Sequence, residues 1–344
     1  MAKRTSLKDI AQLVGVSTAL VSYVLNNKRE NRISKAVAQK IRKAAQELNY
    51  QPNQIAKSLK TNKTRTLGLL VADIANPFFS SLARYIEDEA DRQGYTLIFA
   101  SSDENPQKFR KLINTLLSRN VDGLLIAPPE GTQDQIIQLQ QQATPFVLID
   151  RYFPDLRTSY VALDNHQAIY LATEHLIRSG FRRIGMLTFQ TELTHINERT
   201  RGYRSALNDH QIPFKKRWLR EISRSNLIPE VAKAIHELTA GHNPVEAIVF
   251  ASNTLALCGL RQLKSQSIRI PDNVAVVSFD ETDINDLFHS PLTYVRQPLQ
   301  EMGQLATRIL LETMSANNRI TQANLPATLV VQASTQPLAV SLLD

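Results

Sequence analysis

Apolar positions in the first fifty residues recur at three- and four-residue spacing in three separate stretches. Leu7, Ile10, Ala11 and Val14 form one stripe, Leu20, Val21, Val24 and Leu25 a second, and Val37, Ile41, Ala44, Ala45 and Leu48 a third. Each stripe predicts a helix that buries one face. Ser6-Leu7-Lys8-Asp9 has the form of a capping box, in which Ser6 and Asp9 satisfy each other's backbone N–H groups. Gly15 breaks the first helix because glycine turns cheaply to positive φ, and Ser17 is a natural N-cap for the second. The third helix follows Ser34. Helix, three-residue turn, helix is the spacing of a helix-turn-helix.

The second helix leaves a polar face outward. In a helix-turn-helix that face lies in the major groove, with its N-terminal residues at base edges. Thr18, Ala19 and Tyr23 hold the outward positions; a threonine hydroxyl can donate or accept there, and an alanine can touch a thymine methyl. Ser17, Ser22 and Asn26 suit phosphate oxygens, helped by the helix N-terminus. The alternative reading is a three-helix bundle whose polar face meets solvent. A further stretch, Asn53 to Thr61, predicts a helix of only two turns, too short to be stable alone in water. Leu59 would be exposed on it beside Lys57 and Lys60, as a wedge for a minor-groove step or as cover for the body's surface.

From Thr66 the pattern changes. LGLLVADI, TLIFAS, GLLIAP and FVLID are strand-like runs, alternating with amphipathic stretches such as Ser80 to Gly94 and Pro106 to Asn120. The pattern restarts near Ala168, with a helix to Gly180 and then RIGMLTF, AIVFAS and VAVVSFD as strands. This is the βαβ signature of a parallel sheet covered by helices, and its repetition predicts two α/β lobes. In open parallel sheets, ligands sit beyond the carboxyl ends of strands. Asp73, Asp150-Arg151, Asn253 and Asp280 all stand just after strand-like runs. Arg201 lies in the helical stretch that starts at Asn197. Carboxylates, amides and an arginine converging there suit a hydroxyl-rich ligand, and Phe78 or Phe79 could stack on its ring. For each residue taken singly, a helix cap or a loop hydrogen bond is the competing role. Arg151 and His195 add positive character, which leaves an anionic ligand open.

Charge placement sharpens this picture. Residues 1–65 carry 14 Lys/Arg against 3 Asp/Glu, whereas the remainder carries 26 against 29. A small basic head on a near-neutral body points to a polyanion at one end and another task at the other. A single cysteine, Cys258, allows no internal disulfide and reads as core. No apolar run approaches a membrane span and no signal sequence opens the chain, which is the expectation for a cytoplasmic protein without a membrane partner. The seven histidines are scattered, and there is no H-E-x-x-H, G-x-S-x-G or Walker-type loop. Neither an enzyme, nor a cofactor, nor a metal site is expected.

These residues resemble the LacI/GalR family of bacterial transcription regulators. The likeness is carried by SLKDIAQLVGVSTALVSYVLN and ELNYQPNQIAKSLKTNKTRTLGLLV in the head. It continues through VADIANPFF, VDGLLIAP, FVLIDR, HLIRSGFRRIGML, RTRGY, VAVVSFD and PLTYVRQP in the body. The resemblance implies a helix-turn-helix domain over residues 1–51, a hinge helix and linker over 52–65, and a two-lobed, periplasmic-binding-protein-like domain of parallel sheets over 66–344 for effector binding and dimerisation. It implies a homodimer on a palindromic DNA operator, gated by a small-molecule effector of the sugar or sugar-derivative class. By position, Thr18, Ala19 and Tyr23 would read bases, Ser17, Asn26, Asn53 and Lys60 would contact the backbone or groove, and Leu59 would intercalate. Asp150, Arg201, Asn253 and Asp280 would meet the effector. Two departures stand out. Tyr23 replaces the arginine or histidine common in relatives and cannot read guanine with two hydrogen bonds. Ser252-Asn253 replaces a common Asn-Asp and removes one carboxylate from the ligand site. The rival readings are a sugar receptor without a DNA role, a sugar-modifying enzyme with a basic appendage, and a non-specific architectural DNA binder.

Overall fold

The computed structural model describes residues 5–28, 33–51, 63–315 and 319–336. The chain divides into two compact units, Met1–Thr64 and Arg65–Asp344. In the first, α1 (Leu7–Val14), α2 (Thr18–Leu25) and α3 (Lys35–Glu47) close a small core. Ile10, Ala11, Val21, Val24, Ile41, Ala44 and Ala45 are buried there, with Leu7, Val14, Leu20, Val37 and Leu48 packed around them. Ser6 and Asp9 form the full capping box, and Gly15 ends α1 at φ 74°. Ser17 caps α2 by accepting from the Leu20 N–H at 3.2 Å, and Ser34 caps α3 by accepting from Val37 at 3.3 Å. The short helix expected from Asn53 to Thr61, with Asn53, Lys57, Leu59 and Lys60, falls outside the described residues.

The second unit contains two six-stranded sheets. The first is built from β1 (Thr66–Val71), β2 (Thr96–Ser101), β3 (Gly123–Ile126), β4 (Phe146–Ile149), β5 (Tyr160–Leu163) and β11 (Gln322–Leu325), in the spatial order β11-β5-β4-β3-β1-β2. All its pairings are parallel. The second is built from β6 (Ile184–Phe189), β7 (Leu219–Ile222), β8 (Ala247–Phe250), β9 (Ala275–Phe279), β10 (Thr293–Arg296) and β12 (Thr328–Val330), in the order β12-β10-β9-β8-β6-β7. Only β12 runs antiparallel, against β10. The central strands are almost wholly apolar because helices cover both faces of each sheet, and every residue of β3, β4, β8 and β9 is buried, Ser278 of β9 included.

The helices of the first lobe are α4 (Pro77–Arg92), α5 (Pro106–Ser118) and α6 (Gln133–Gln141). Those of the second are α7 (Asn165–Arg178), α8 (Thr194–Asp209), α9 (Leu227–Thr239), α10 (Asn253–Ser265) and the short α11 (Ile284–Leu287). The chain passes between lobes three times: after β5, after β10 and after β11. The helix after the second crossing, α12 (Leu299–Met314), returns to the first lobe and buries Met302, Ala306, Ile309 and Leu310 against Leu82, Ile86 and the sheet. Helix α4 begins at Pro77 with Asn76 as its cap, earlier than the Ser80 start suggested by periodicity, because the cap and the N-terminal proline set the boundary. TLIFAS forms a strand, but at the sheet edge, where Ile98 and Phe99 are exposed.

Candidate functional site

The carboxyl ends of β4 and β9 carry the same device. Each strand is followed by an aspartate in the left-handed region, Asp150 at φ 67° and Asp280 at φ 72°. Aspartate tolerates this conformation better than most residues, at an order of 1 kcal/mol or more in strain. The backbone N–H of each is held by the neighbouring strand, donating to Val161 and Val295 at 2.9 Å. The turn buries both carboxyl groups in the space between the lobes.

Arg199 faces them from α8. It is 4% exposed, and its Nε donates to Asn165 Oδ1 and its Nη1 to the Ala251 carbonyl, both at 2.7 Å. Its guanidinium lies 3.6 Å from the centre of the Phe279 ring. Burial pulls its pKa down to about 10, opposed by attraction to Asp280 and Asp150. Burial likewise pushes Asp150 up to about 6 against the pull of Arg151 and Arg199. Asp280 is also raised by burial, opposed by Arg199 and by the Gln297 amide, which donates to it at 2.6 Å. Two carboxyls share one guanidinium here, and neither makes a direct ion pair with it among the described contacts.

Arg151 is engaged elsewhere. Its two terminal nitrogens fork onto Glu104 at 2.7 and 2.8 Å, and its Nε lies 3.6 Å from Asp150, beyond hydrogen-bond reach. His195, 5% exposed, has a buried Nδ1 without a hydrogen-bond partner among the described residues. Burial, with Arg151, Arg199 and Arg224 nearby, keeps its pKa well below the usual imidazole value, so the ring is neutral.

Polar contacts join the lobes around this centre. Asn76 and Asn253 exchange amide hydrogen bonds at 2.8 and 3.4 Å. Glu130 accepts from the Thr191 hydroxyl at 2.6 Å and the Glu192 N–H at 2.8 Å. Arg224 approaches Glu104 to 3.6 Å. Beside Asp280 opens a chamber of about 470 Å³ lined by Phe78, Ser81, Tyr85, Arg296 and Gln297. Gln297 Oε1 is buried without a hydrogen-bond partner among the described residues.

The remaining residues singled out from sequence fall into different places. Asp73 is half-buried and accepts from the Ala75 N–H at 3.0 Å, shaping the turn that presents Asn76. Phe78 reaches the chamber, whereas Phe79 is core, edge-on to Phe78 and 5.7 Å from the Arg151 guanidinium. Asn197 is exposed on α8. Arg201 does not enter the buried cluster: its side chain is 64% exposed and pairs with Glu198 at 2.7 Å. The arginine between the two aspartates is Arg199, for which the signal lay in the stripe Ile196, Arg199, Tyr203, Ala206, all buried at helical spacing. Asn165 and Gln297 also escaped the sequence reading, since a lone amide near a helix start or a proline carries no pattern. Ser252 takes the N-cap of α10, accepting from Leu255 at 3.3 Å, which leaves the Asn253 side chain to bridge the lobes.

In the head, Ser17, Thr18, Ala19 and Asn26 are exposed, and Ser22 and Tyr23 are half-buried. The Asn26 amide donates to the Ser22 carbonyl at 2.8 Å, so part of its bonding capacity is spent within α2. Among the described residues no helix is long and apolar enough to cross a membrane. No group of three or more His, Cys, Asp or Glu side chains among them could hold a metal ion.

Two parallel α/β lobes joined by three crossings around a buried polar centre, on a chain that starts with a helix-turn-helix, define a regulator class that couples a ligand-binding body to a DNA-binding head. Residues 64–330 match the family described as periplasmic binding proteins and sugar binding domain of LacI family, and residues 6–53 match bacterial regulatory proteins, lacI family. The chain belongs to the LacI family of bacterial regulatory proteins. It is 32% identical to the probable HTH-type transcriptional regulator EndR of Paenibacillus polymyxa, over 90% of each chain. It is also 32% identical to the HTH-type transcriptional repressor PurR of Aliivibrio fischeri, over 89% of this chain and 91% of that one. Among solved structures it is similar to the transcriptional regulator CelR in complex with cellobiose, at 26% identity and a TM-score of 0.72, over 96% of this chain and 100% of that one.

Proposed function

We propose that this protein is a homodimeric, sequence-specific repressor whose grip on a palindromic operator is set by a neutral, hydroxyl-rich effector bound between the lobes. The observation that carries this reading is the Asp150–Arg199–Asp280 cluster, which draws its charged groups from both lobes and buries them together. Buried charge with unspent hydrogen-bonding capacity is costly without a ligand's polar groups to meet it. Carboxylates that accept and amides and a guanidinium that donate match the alternating character of sugar hydroxyls. An anionic effector is disfavoured because Arg151 is already forked onto Glu104, while Asp150 and Asp280 face the centre. A saccharide-bound relative, the CelR–cellobiose complex, supports the same class. On the DNA side, Thr18 and Ala19 at the exposed start of α2 would meet base edges, with Tyr23 beside them and Ser17, Ser22 and Asn26 toward phosphates. Asn53, Lys57, Leu59 and Lys60 would complete the contact in the groove.

The test is selection of a preferred duplex from random DNA with the full-length protein, followed by titration of that duplex with neutral sugars present. A palindromic consensus whose affinity shifts with one sugar is the expected result. Equal binding to all duplexes, or an operator affinity indifferent to every sugar tried, overturns the proposal.

A further inference from the structure

The strand order puts the crossings on one side of the cleft. They follow β5, β10 and β11, which with β12 form the matching edges of the two sheets. Asp150 and Asp280 follow β4 and β9, the third strand from that edge in each sheet. The opposite edges, β2 and β7, carry no crossing and form the mouth. The polar contacts between the lobes fall on the mouth side. Glu104, just after β2, comes within 3.6 Å of Arg224, just after β7. Glu130, beyond β3, accepts from Thr191 and Glu192, both beyond β6. Asn76, beyond β1, pairs with Asn253, beyond β8.

Glu130 also reaches the helix that bears Arg199. The Thr191 hydroxyl, which donates to Glu130, accepts in turn from the Leu193 N–H at 3.2 Å. Leu193 is the N-cap of α8, and its carbonyl accepts from the Ile196 and Asn197 N–H groups. Leucine offers no side-chain cap, so a carboxylate from the other lobe orders the turn at the end of the helix where negative charge is favoured. Distance from the crossings gives these contacts leverage. With strands about 4.8 Å apart, the free edge stands roughly 24 Å from the crossings, and a rotation of about 10° there opens it by about 4 Å. That exceeds the reach of a hydrogen bond, so one rotation breaks the contacts together.

We propose that this seam is a latch: Glu130, Glu104 and Asn76 of the first lobe hold the mouth shut through the chain's own groups, and Glu130 in the same act fixes the start of α8. Taken singly, partly exposed polar contacts stabilise little. Linked through one rotation they form a cooperative unit, and releasing it frees both the mouth and the turn that leads to Arg199. The latch is a property of the body itself and does not depend on which ligand the cleft takes.

Hydrogen–deuterium exchange of the full-length protein without added ligand, read by mass spectrometry on peptides covering residues 190–196, tests it. Glu130→Ala breaks the seam directly, and the Glu192 and Leu193 amides are expected to exchange about tenfold faster. Asn253→Ala removes a different contact, on another loop, yet a shared opening speeds the same amides by about threefold or more. A turn that responds to Glu130→Ala and not to Asn253→Ala marks separate surface bonds and overturns the latch. No response to either variant overturns the seam as well. Glu130 is exposed, and unchanged exchange in α9 verifies that the second lobe stays folded in both variants. If Asn253→Ala fails that check, Arg224→Ala, also at an exposed position, supplies the second break and is read the same way.

Discussion

Arg199 and Arg201 stand two positions apart on α8, and the helical turn sends them in opposite directions, one to the buried centre and one to the rim. Removing the first takes from Asp280 the guanidinium that opposes its burial and leaves Asp150 with Arg151 alone. Arg199→Ala is expected to lower stability by about 3–5 kcal/mol and to abolish effector binding, whereas Arg201→Ala stays within about 0.5 kcal/mol of the native chain. Urea denaturation of both variants checks the contrast. Asp150 makes a prediction with a definite sign. Its folded pKa, about 6, lies above the ordinary value of 3.8, so the folded state holds a proton more tightly than the unfolded one. Its stabilising contribution is complete below about pH 4 and is lost as pH rises through about 6, an amount near 3 kcal/mol. Asp150→Asn, which cannot ionise, should therefore raise stability at neutral pH and remove that slope. The attraction of Arg151 and Arg199 is already counted in the balance. Unfolding free energies at several pH values for both proteins decide it.

Among the elements, the contact between α7 and α8 is the tightest constraint. A Cβ at Gly202 would lie 2.1 Å from the His166 carbonyl oxygen, and backbone cannot give way as a side chain can. Gly202→Ala is expected to force the two helices apart, cost about 3 kcal/mol or more, and displace Arg199 from the aspartates. A fall in melting temperature with weaker effector binding is the readout. Most elements were legible because buried parallel strands are unbroken apolar runs and the head helices carry explicit caps. Strands β5 and β7 were not, since YVAL is short and LREI alternates with charge. The edge position of β2 was equally hidden: TLIFAS reads as a core strand until its place in the sheet order exposes Ile98 and Phe99.

For the whole molecule, the strong cationic bias of residues 1–65 predicts DNA binding that falls steeply with salt. A dimer neutralising six to ten phosphates should lose about a thousandfold or more in affinity between roughly 50 and 200 mM salt. Effector binding to the near-neutral body should change far less, because the charged groups of the cluster are buried and salt screens buried charges much less than exposed ones. Operator and effector titrations across a salt series separate the two, and equal slopes would contradict the division of labour. The amino-acid order alone determined the local events: three capped helices, the turn between the first two, the recurrent strand runs, and the aspartates that follow them. Each of these depends on neighbours within a few residues, where periodicity and backbone preference act directly. Only the tertiary structure decided which arginine meets the aspartates, that Asn76 reaches Asn253 across 177 positions of sequence, and that His195 Nδ1 is buried without a hydrogen-bond partner among the described residues. Those facts arise when three crossings bring two independently patterned lobes face to face, and short-range pattern carries no record of that meeting.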